Sequence, residues 1–546
     1  MIWRETLLCV TLCRNNNKKT SNYMQDLLII GAGPGGYKTA LHAAQHGLKV
    51  TIFEAGHVGG TCLNVGCIPT KTYVHSASFA EAIERQPQVV EQLRSGVETL
   101  LSHPNITLVR EHATFVDAHT VQTHSGQRYT ADNIIIATGS STKWLNLGPS
   151  QPTAPSRPPR GGANISSGIS SETQVPPRGD LEGAISPRER GEGLVVDSTG
   201  LLSLKELPRR LCIIGAGVIG MEFASVFRHF GSEVTVVEFL KECLPAIDAD
   251  IAKRLRKVME KQGVKFYMGA AVKEIRPLSN SPRGGEDSLS SGEKENIGLA
   301  ALPPTGGAGR GASVLFEQKG KELSVEADVV LMATGRKPNT EGLNLEALGI
   351  TLERNGAIPV DEHFEVAPSK SPRGGTCVTA ENPEDMPAPP RGGWEGALYA
   401  IGDVNGRQML AHAAEFQGHH VVNRILGIED HIRFDVMPAA IFTTPEAACV
   451  GPAEDQLKAA ATPFECHKAF YRANGKALSM GETEGMVKLC CEPGEGRLLS
   501  CHAYGAHAAD LVQEATAYIT LGATLRQLRE TVHIHPTLSE ILIEVN

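Results

Sequence analysis

The run Gly59-Gly60-Thr61-Cys62-Leu63-Asn64-Val65-Gly66-Cys67-Ile68-Pro69-Thr70-Lys71 sets two cysteines five positions apart in a glycine-bounded turn leading into an apolar helix. Such a thiol pair can open and close a disulfide, and its place just after a nucleotide-binding signature points to electron exchange with a flavin. Five positions on one continuous helix do not put two side chains on one face, so a distortion at Gly66 is required for the sulfurs to meet. The thiolate of the reduced pair is stabilised by a helix start, by an oxidised isoalloxazine and by nearby positive charge. Lys71, four residues after Cys67, supplies that charge if it turns inward and an acid balances it. Zinc is the competing use of two cysteines, but the nearby His57 and His75 form no recognisable ligand set.

A base for thiol chemistry stands near the C-terminus, in Thr531-Val532-His533-Ile534-His535-Pro536-Thr537-Leu538-Ser539-Glu540. His535 can take a proton from an incoming thiol while Glu540 holds its ring and raises its proton affinity. Pro536 helps fix the local backbone, with a cis bond as one option. His533 has no such partner by spacing and reads as a packing or surface residue.

These groups need a scaffold, and the chain supplies one twice. Leu27-Leu28-Ile29-Ile30 runs into Gly31-Ala32-Gly33-Pro34-Gly35-Gly36, an Ala-rich helical stretch follows, and Lys49-Val50-Thr51-Ile52-Phe53 ends in Glu54. In this strand, turn, helix and strand, Gly31 allows the turn, Gly33 lets backbone approach a pyrophosphate, and Gly36 lets helix and strand close together. Glu54 accepts from a ribose. The pattern recurs with Gly215, Gly217 and Gly220 after Leu211-Cys212-Ile213-Ile214, and its second strand ends in Glu238. Two units imply two dinucleotides, one held and one exchanged. The charge of Glu238 repels a 2'-phosphate, so NAD is expected over NADP. A strand-to-glycine segment closes each unit, one through Thr138 and Gly139 and the other through Gly335, and a third related stretch puts Asp403 at a strand end facing cofactor hydroxyls.

With 546 residues the chain has room for three or four domains. A net charge of -9 argues against broad nucleic-acid or acidic-membrane binding. No segment offers the roughly 18 consecutive apolar residues of a membrane span, so a soluble protein is expected. Twelve cysteines are too sparse for a secreted disulfide scaffold, and their spacing gives no four-ligand metal set. Cys490 and Cys491, neighbours on an expected strand, face opposite ways and make a poor second redox couple. Residues 1–23 read as a disordered tail or an over-extended start. The expected location is cytoplasmic, or an organellar matrix if that basic segment is a leader. Stretches at 150–193, 279–312 and 367–395 repeat Pro-Arg-Gly-Gly words and are poor in apolar residues, so they read as surface insertions. RNA contact through these words is not expected, because the arginines are sparse and mixed with acids.

Taken together, Gly59 through Lys71, both glycine fingerprints, Ala400-Ile401-Gly402-Asp403 and His535-Pro536-Thr537-Leu538-Ser539-Glu540 resemble the pyridine nucleotide-disulfide oxidoreductase family, over nearly all of 24–546 outside the insertions. The resemblance implies an α/β fold, with two Rossmann-like nucleotide-binding domains and a C-terminal α+β dimerisation domain. FAD would occupy the first domain and NAD the second. On this map an FAD-binding part spans 24–149, a linker 194–210, the NAD-binding domain 211–335, a central region 336–437 and the dimerisation domain 438–546. By similarity Cys62 is the interchange thiol, Cys67 the flavin-side thiol, and Lys71 lies by the flavin paired with Glu222. His535 and Glu540 would complete the site of the other subunit of a homodimer. The branch that oxidises dihydrolipoamide with NAD fits best, which implies as partner the lipoyl domain of a 2-oxoacid dehydrogenase or glycine-cleavage complex. NADH-dependent reduction of another disulfide, or a noncatalytic flavoprotein subunit, are the alternatives.

Overall fold

The computed structural model describes residues 24–145, 194–278, 311–366 and 397–546. Residues 1–23 and almost all of the three Pro/Gly-rich stretches lie outside the described residues, as do the expectations attached to them.

The strand Met24–Ile30, closing on the apolar run Leu27-Leu28-Ile29-Ile30, forms the middle of a seven-stranded sheet. Val50–Phe53 and Arg128–Ile136 flank it in parallel, Ile106–Val109 pairs beyond Val50–Phe53, and Ala397–Ala400 lies parallel to Arg128–Ile136. Val50–Phe53 is buried throughout, as a strand covered on both faces must be. The helix Pro34–Gln45 makes the crossover, with proline at its first position, where the missing N–H costs nothing. A second, five-stranded parallel sheet repeats the plan in the order Lys265–Met268, Glu233–Glu238, Arg210–Ile214, Val329–Met332, Leu194–Val196. Its crossover helix is Val218–His229.

The segment 194–210, read from sequence as a linker, adds the strand Leu194–Val196 to this sheet, followed by a helix over Ser198–Leu202. Asp197 caps that helix by accepting from the Gly200 N–H at 2.9 Å. Ala312, placed by sequence at the end of an insertion, opens the strand Ala312–Gln318 and is buried.

From Ala439 onward an antiparallel five-stranded sheet runs Ala439–Ile441, Glu446–Val450, Leu498–Gly505, Met486–Cys491, Glu465–Phe470. The helices Ala508–Thr520 and Leu525–Glu530 pack on it through Leu511, Val512, Leu525 and Leu528. Cys490 is joined not to Cys491 but across the ladder to Cys466 in a disulfide, while Cys491 points into the core. Among the described residues, no helix is long and apolar enough to cross a membrane.

One apolar cluster ties the parts together. Tyr73 and Phe79, from the cysteine-bearing segment, pack against Phe223 and Phe227 of the second unit, and the same cluster takes in Ile441, Met486 and Tyr504 from the C-terminal sheet. Tyr73, Phe79, Phe227 and Phe230 meet edge-on or tilted, with centroids 5.9–6.3 Å apart, a favourable aromatic arrangement. The thiol helix is therefore seated on the second nucleotide unit. Phe227→Ala empties part of this junction, and we expect it to lower the unfolding free energy by about 3–5 kcal/mol in denaturant titration; a loss below about 1 kcal/mol would place the junction's stability elsewhere.

Candidate active site

The distortion required by the cysteine spacing is present. One helix runs Gly60–Val65 and the next Cys67–Val74, and Gly66 between them leaves helical geometry at φ -134° and ψ -110°. A Cβ on Gly66 would sit 2.8 Å from the Thr61 carbonyl oxygen, which makes this kink specific to glycine. The Gly66 carbonyl accepts twice from Thr70, from its N–H at 3.0 Å and from its Oγ1 at 2.7 Å. Asn64 Nδ2 donates to the Val58 and Gly60 carbonyls at 3.0 and 2.9 Å, and Arg94 Nε donates to its oxygen at 3.0 Å, so the loop below Cys62 is held from three sides.

Cys62 and Cys67 are both free thiols here, and each is the main influence on the other's ionisation. The hydrogen bond from Cys62 is the largest influence on Cys67 and lowers its pKa; burial opposes it, Lys71 helps, and the result is about 7. The same hydrogen bond is the main reason the Cys62 thiol is pushed well up, with burial adding to it. The pair is thus asymmetric, with the thiolate on Cys67 and the proton on Cys62.

Lys71 Nζ donates to both oxygens of Glu222 at 2.9 Å, and Glu222 is 4% exposed. Phe442, from the C-terminal sheet, donates its backbone N–H to Glu222 Oε1 at 2.9 Å and lays its ring 4.6 Å from Lys71 Nζ. Phe442 is a site residue that sequence reasoning missed. A lone phenylalanine more than 200 residues from its partner carries no local signal.

The two nucleotide signatures form matching cradles. Glu54 accepts from the Ala32 N–H and the Gly56 N–H, both at 2.8 Å. Glu238 accepts from the Ala216 N–H at 2.5 Å and the Leu240 N–H at 2.6 Å. In each unit the acid is braced against its own glycine turn. Cβ atoms on Gly36 and Gly220 would lie 1.8 and 2.0 Å from the carbonyl oxygens of Gly31 and Gly215, so both glycines serve helix-to-turn packing. Gly217, by contrast, has open space where a side chain would be, as an approaching phosphate needs.

Asp403 accepts a short hydrogen bond from Ser140 Oγ, and Arg336 Nε in turn donates to Ser140 Oγ at 2.7 Å. Thr138 Oγ1 donates to the Asn339 carbonyl at 2.7 Å, next to the antiparallel pairing of Ser140–Thr142 with Arg336–Pro338. Ser140, Arg336 and Asn339 join the two units and were not singled out from sequence. Arg336 directly follows Gly335, and that adjacency was the available clue.

Most of these groups border a cleft of about 2150 Å³, while Gly36 and Gly220 lie behind its wall. Gly31, Gly33, Glu54, Cys62, Cys67, Lys71, Thr138, Gly139 and Asp403 line one part, and Gly215, Gly217, Glu222, Glu238 and Gly335 the other. Small-molecule sites reach roughly 1,000 Å³, so the space and its two cradles suit two dinucleotides end to end. The residues fit an FAD in the first cradle and an NAD in the second.

His535 stands apart from this cleft wall. Its Nδ1 lies 2.8 Å from Glu540 Oε1, and Glu540 Oε2 accepts from the Thr537 N–H at 2.8 Å. The Thr537 bond, then His535, holds the Glu540 carboxyl below its usual pKa. The His535–Pro536 bond is cis. The His535 side chain is 79% exposed, next to the equally bare Val532 and Ile534. His533 is packed and has its own acid, Glu514, at 2.9 Å.

Residues 25–370 match the family model described as pyridine nucleotide-disulphide oxidoreductase, and residues 437–545 match its dimerisation domain. The mitochondrial dihydrolipoyl dehydrogenase of Pisum sativum is 33% identical across 95% of this chain and 90% of its own length. The leghemoglobin reductase of Glycine max is 32% identical across 98% and 89%. In three dimensions, the HOCl-induced flavoprotein disulfide reductase RclA of Escherichia coli aligns with a TM-score of 0.69 at 26% identity, covering 95% of this chain and 99% of that one.

The signs of the influences on Cys67 generate an expectation. Lys71 lowers its pKa and Glu222 raises it. The pH midpoint for alkylation of Cys67 in the reduced protein should therefore rise above about 7 in Lys71→Met and fall in Glu222→Gln. Shifts of the same sign in both variants would show that the ion pair acts on fold rather than on charge.

Proposed function

The chain belongs to the pyridine nucleotide-disulphide oxidoreductase family and is an FAD-dependent, NAD-linked disulfide oxidoreductase with a redox-active cysteine pair; on that premise we propose that it uses NADH to reduce a small disulfide substrate through Cys62 and Cys67. The observation that carries this reading is the pair of free thiols on either side of the Gly66 kink, both lining the cleft that the two nucleotide cradles border; of the two, Cys67 ionises the more readily. A Cys67 thiolate is electron-rich at neutral pH, while a Cys62 thiol is silent until a base frees it. The two sulfurs are thereby assigned different tasks.

Bound FAD supplies the two-electron relay between nicotinamide and the cysteine pair. In the first cradle Glu54 and Asp403 hold its hydroxyls, Gly31 and Gly33 admit its pyrophosphate beside Thr138 and Gly139, and Lys71, neutralised by Glu222, sets the charge near its ring. In the second, Gly215, Gly217 and Gly335 admit NAD and Glu238 takes its ribose. Cys62, deprotonated by His535, attacks one sulfur of the substrate disulfide; a Cys62–substrate bond forms, the substrate S–S bond breaks, and the leaving thiolate takes the proton back from His535. The Cys67 thiolate then attacks Cys62, the Cys62–Cys67 disulfide forms and the second substrate thiolate leaves. Two electrons end on the substrate; the first thiol carries the proton that left Cys62, and the second thiolate takes its proton from solvent. Glu540 keeps His535 oriented throughout. Because His535 is exposed and lies off its own cleft wall, the base acts on the cleft of a second copy joined through the dimerisation domain.

A second reading runs the same exchange backward, oxidising protein-bound dihydrolipoamide with NAD. Its support is the 33% identity to a dihydrolipoyl dehydrogenase along almost the whole chain, and its partner would be a lipoyl domain. Competition between lipoamide and other disulfides in steady state separates the two: a kcat/KM for dihydrolipoamide far above that for every other substrate would replace the first reading with the second.

Cys62→Ser should abolish disulfide turnover while NADH still reduces the bound flavin, and His535→Ala should cost roughly 10²- to 10⁴-fold in turnover. Retained turnover in Cys62→Ser would refute the assignment. NADPH should serve at least about tenfold less well than NADH in kcat/KM, and equal use would remove the role given to Glu238.

A further inference from the structure

The edge hairpin of the C-terminal sheet gathers three metal-ligating side chains that the redox chemistry does not use. Glu465 and His467 are two apart on the edge strand Glu465–Phe470 and so share a face. Cys491 is the direct cross-strand partner of Glu465, so all three fall on one side of the ladder. Their donor atoms lie within 4.8 Å of one another. His467 Nε2 is buried and has no hydrogen-bond partner, and its separation of 4.0 Å from Glu465 Oε2 is too long for one. A buried imidazole nitrogen left bare between a thiol and a carboxylate lacks the partner that such groups nearly always have. None of the three borders the catalytic cleft.

The backbone holds this arrangement in register. The Cys466–Cys490 disulfide lies on the opposite face of the same two strands, with Cys466 between Glu465 and His467 and Cys490 just before Cys491. The cross-link fixes the rungs that carry the donors. Cys491 is fully buried against the core and Glu465 is half exposed, so the cluster is anchored at one end and open to solvent at the other.

We propose that this hairpin binds one Zn²⁺ per chain through His467 Nε2, Cys491 Sγ and the Glu465 carboxylate, with water in the fourth position. One nitrogen, one sulfur and one oxygen donor suit a borderline-soft ion; the thiolate disfavours calcium and magnesium, which take oxygen ligands. Zinc bonds of 2.0–2.3 Å put tetrahedral donors roughly 3.3–3.8 Å apart, so the present spacing, within 4.8 Å, closes onto the ion by up to about 1.5 Å. On binding, the Cys491 S–H bond breaks, its proton goes to solvent and the thiolate sulfur bonds the metal. The ion would fasten the edge strand to its neighbour in the dimerisation domain.

The test uses full-length, flavin-loaded Cys62→Ser/Cys67→Ser protein, which removes the competing dithiol, kept free of reductant so that Cys466–Cys490 stays closed. Zn²⁺ is titrated and the bound metal counted after gel filtration, and Co²⁺ is used in parallel to read tetrahedral bands to the red of the flavin. We expect about one ion per chain, a melting temperature that rises with Zn²⁺, and binding at least about tenfold weaker in His467→Ala. In Cys491→Ser we expect loss of the sulfur-to-cobalt band. Unchanged affinity in His467→Ala overturns the proposal even if Cys491→Ser fails to fold, and so does less than about 0.1 ion per chain at micromolar Zn²⁺.

Discussion

The Glu222 carboxylate is where the three parts of the chain meet. It lies on the crossover helix of the second nucleotide unit, receives Lys71 from the thiol-bearing helix of the first, and receives the Phe442 N–H from the C-terminal sheet. A buried carboxylate needs this many donors, because an ion pair taken out of water is stable only if its remaining lone pairs are satisfied. Satisfying them draws all three parts to one point. The arrangement that neutralises a charge therefore also places the thiol pair at the seam between the two nucleotide cradles. The aromatic cluster of Tyr73, Phe79 and Phe227 reinforces the seam from the apolar side.

The unequal acidity of Cys62 and Cys67 depends on that seam. Gly66 bends the backbone between the two cysteines, and Lys71 is held near them by Glu222 and the Phe442 ring. Division of labour between the two thiols is then a matter of position along one helix start. Lys71 lowers the pKa of both sulfurs, but their mutual hydrogen bond favours charge on Cys67 and keeps the proton on Cys62 to wait for a base.

Features written in contiguous residues were open to reading. Both glycine turns with their acids, the need for a break at Gly66 and the neighbouring His535 and Glu540 follow from spacing over a few residues, and the two nucleotide units follow from their repetition; the C-terminal dimerisation domain came through family resemblance. What depends on chain crossing was not open in this way. Lys71 and Glu222 are 151 positions apart, and their pairing came through family resemblance rather than pattern. Phe442, Ser140 and Arg336 gave no local signal for the contacts they make. Cys466 and Cys490 are 24 positions apart, and strand pairing alone reveals them as partners. Substrate identity is less legible still, since relatives of similar identity bear the names of different activities.

The matching braces at Glu54 and Glu238 bear on how such a protein can change. Each carboxylate spends both oxygens on backbone N–H groups of its own loop. The acid at the end of the second strand, which for Glu238 is the one proposed to select NAD, is thus also a beam in the loop that cradles the nucleotide. Exchanging it for a basic side chain would strand two amides and slacken the turn, so a lineage seeking to trade one coenzyme for the other could not do so by a single codon. Coenzyme choice here is conservative for an architectural reason, and its drift would have to begin in the loop.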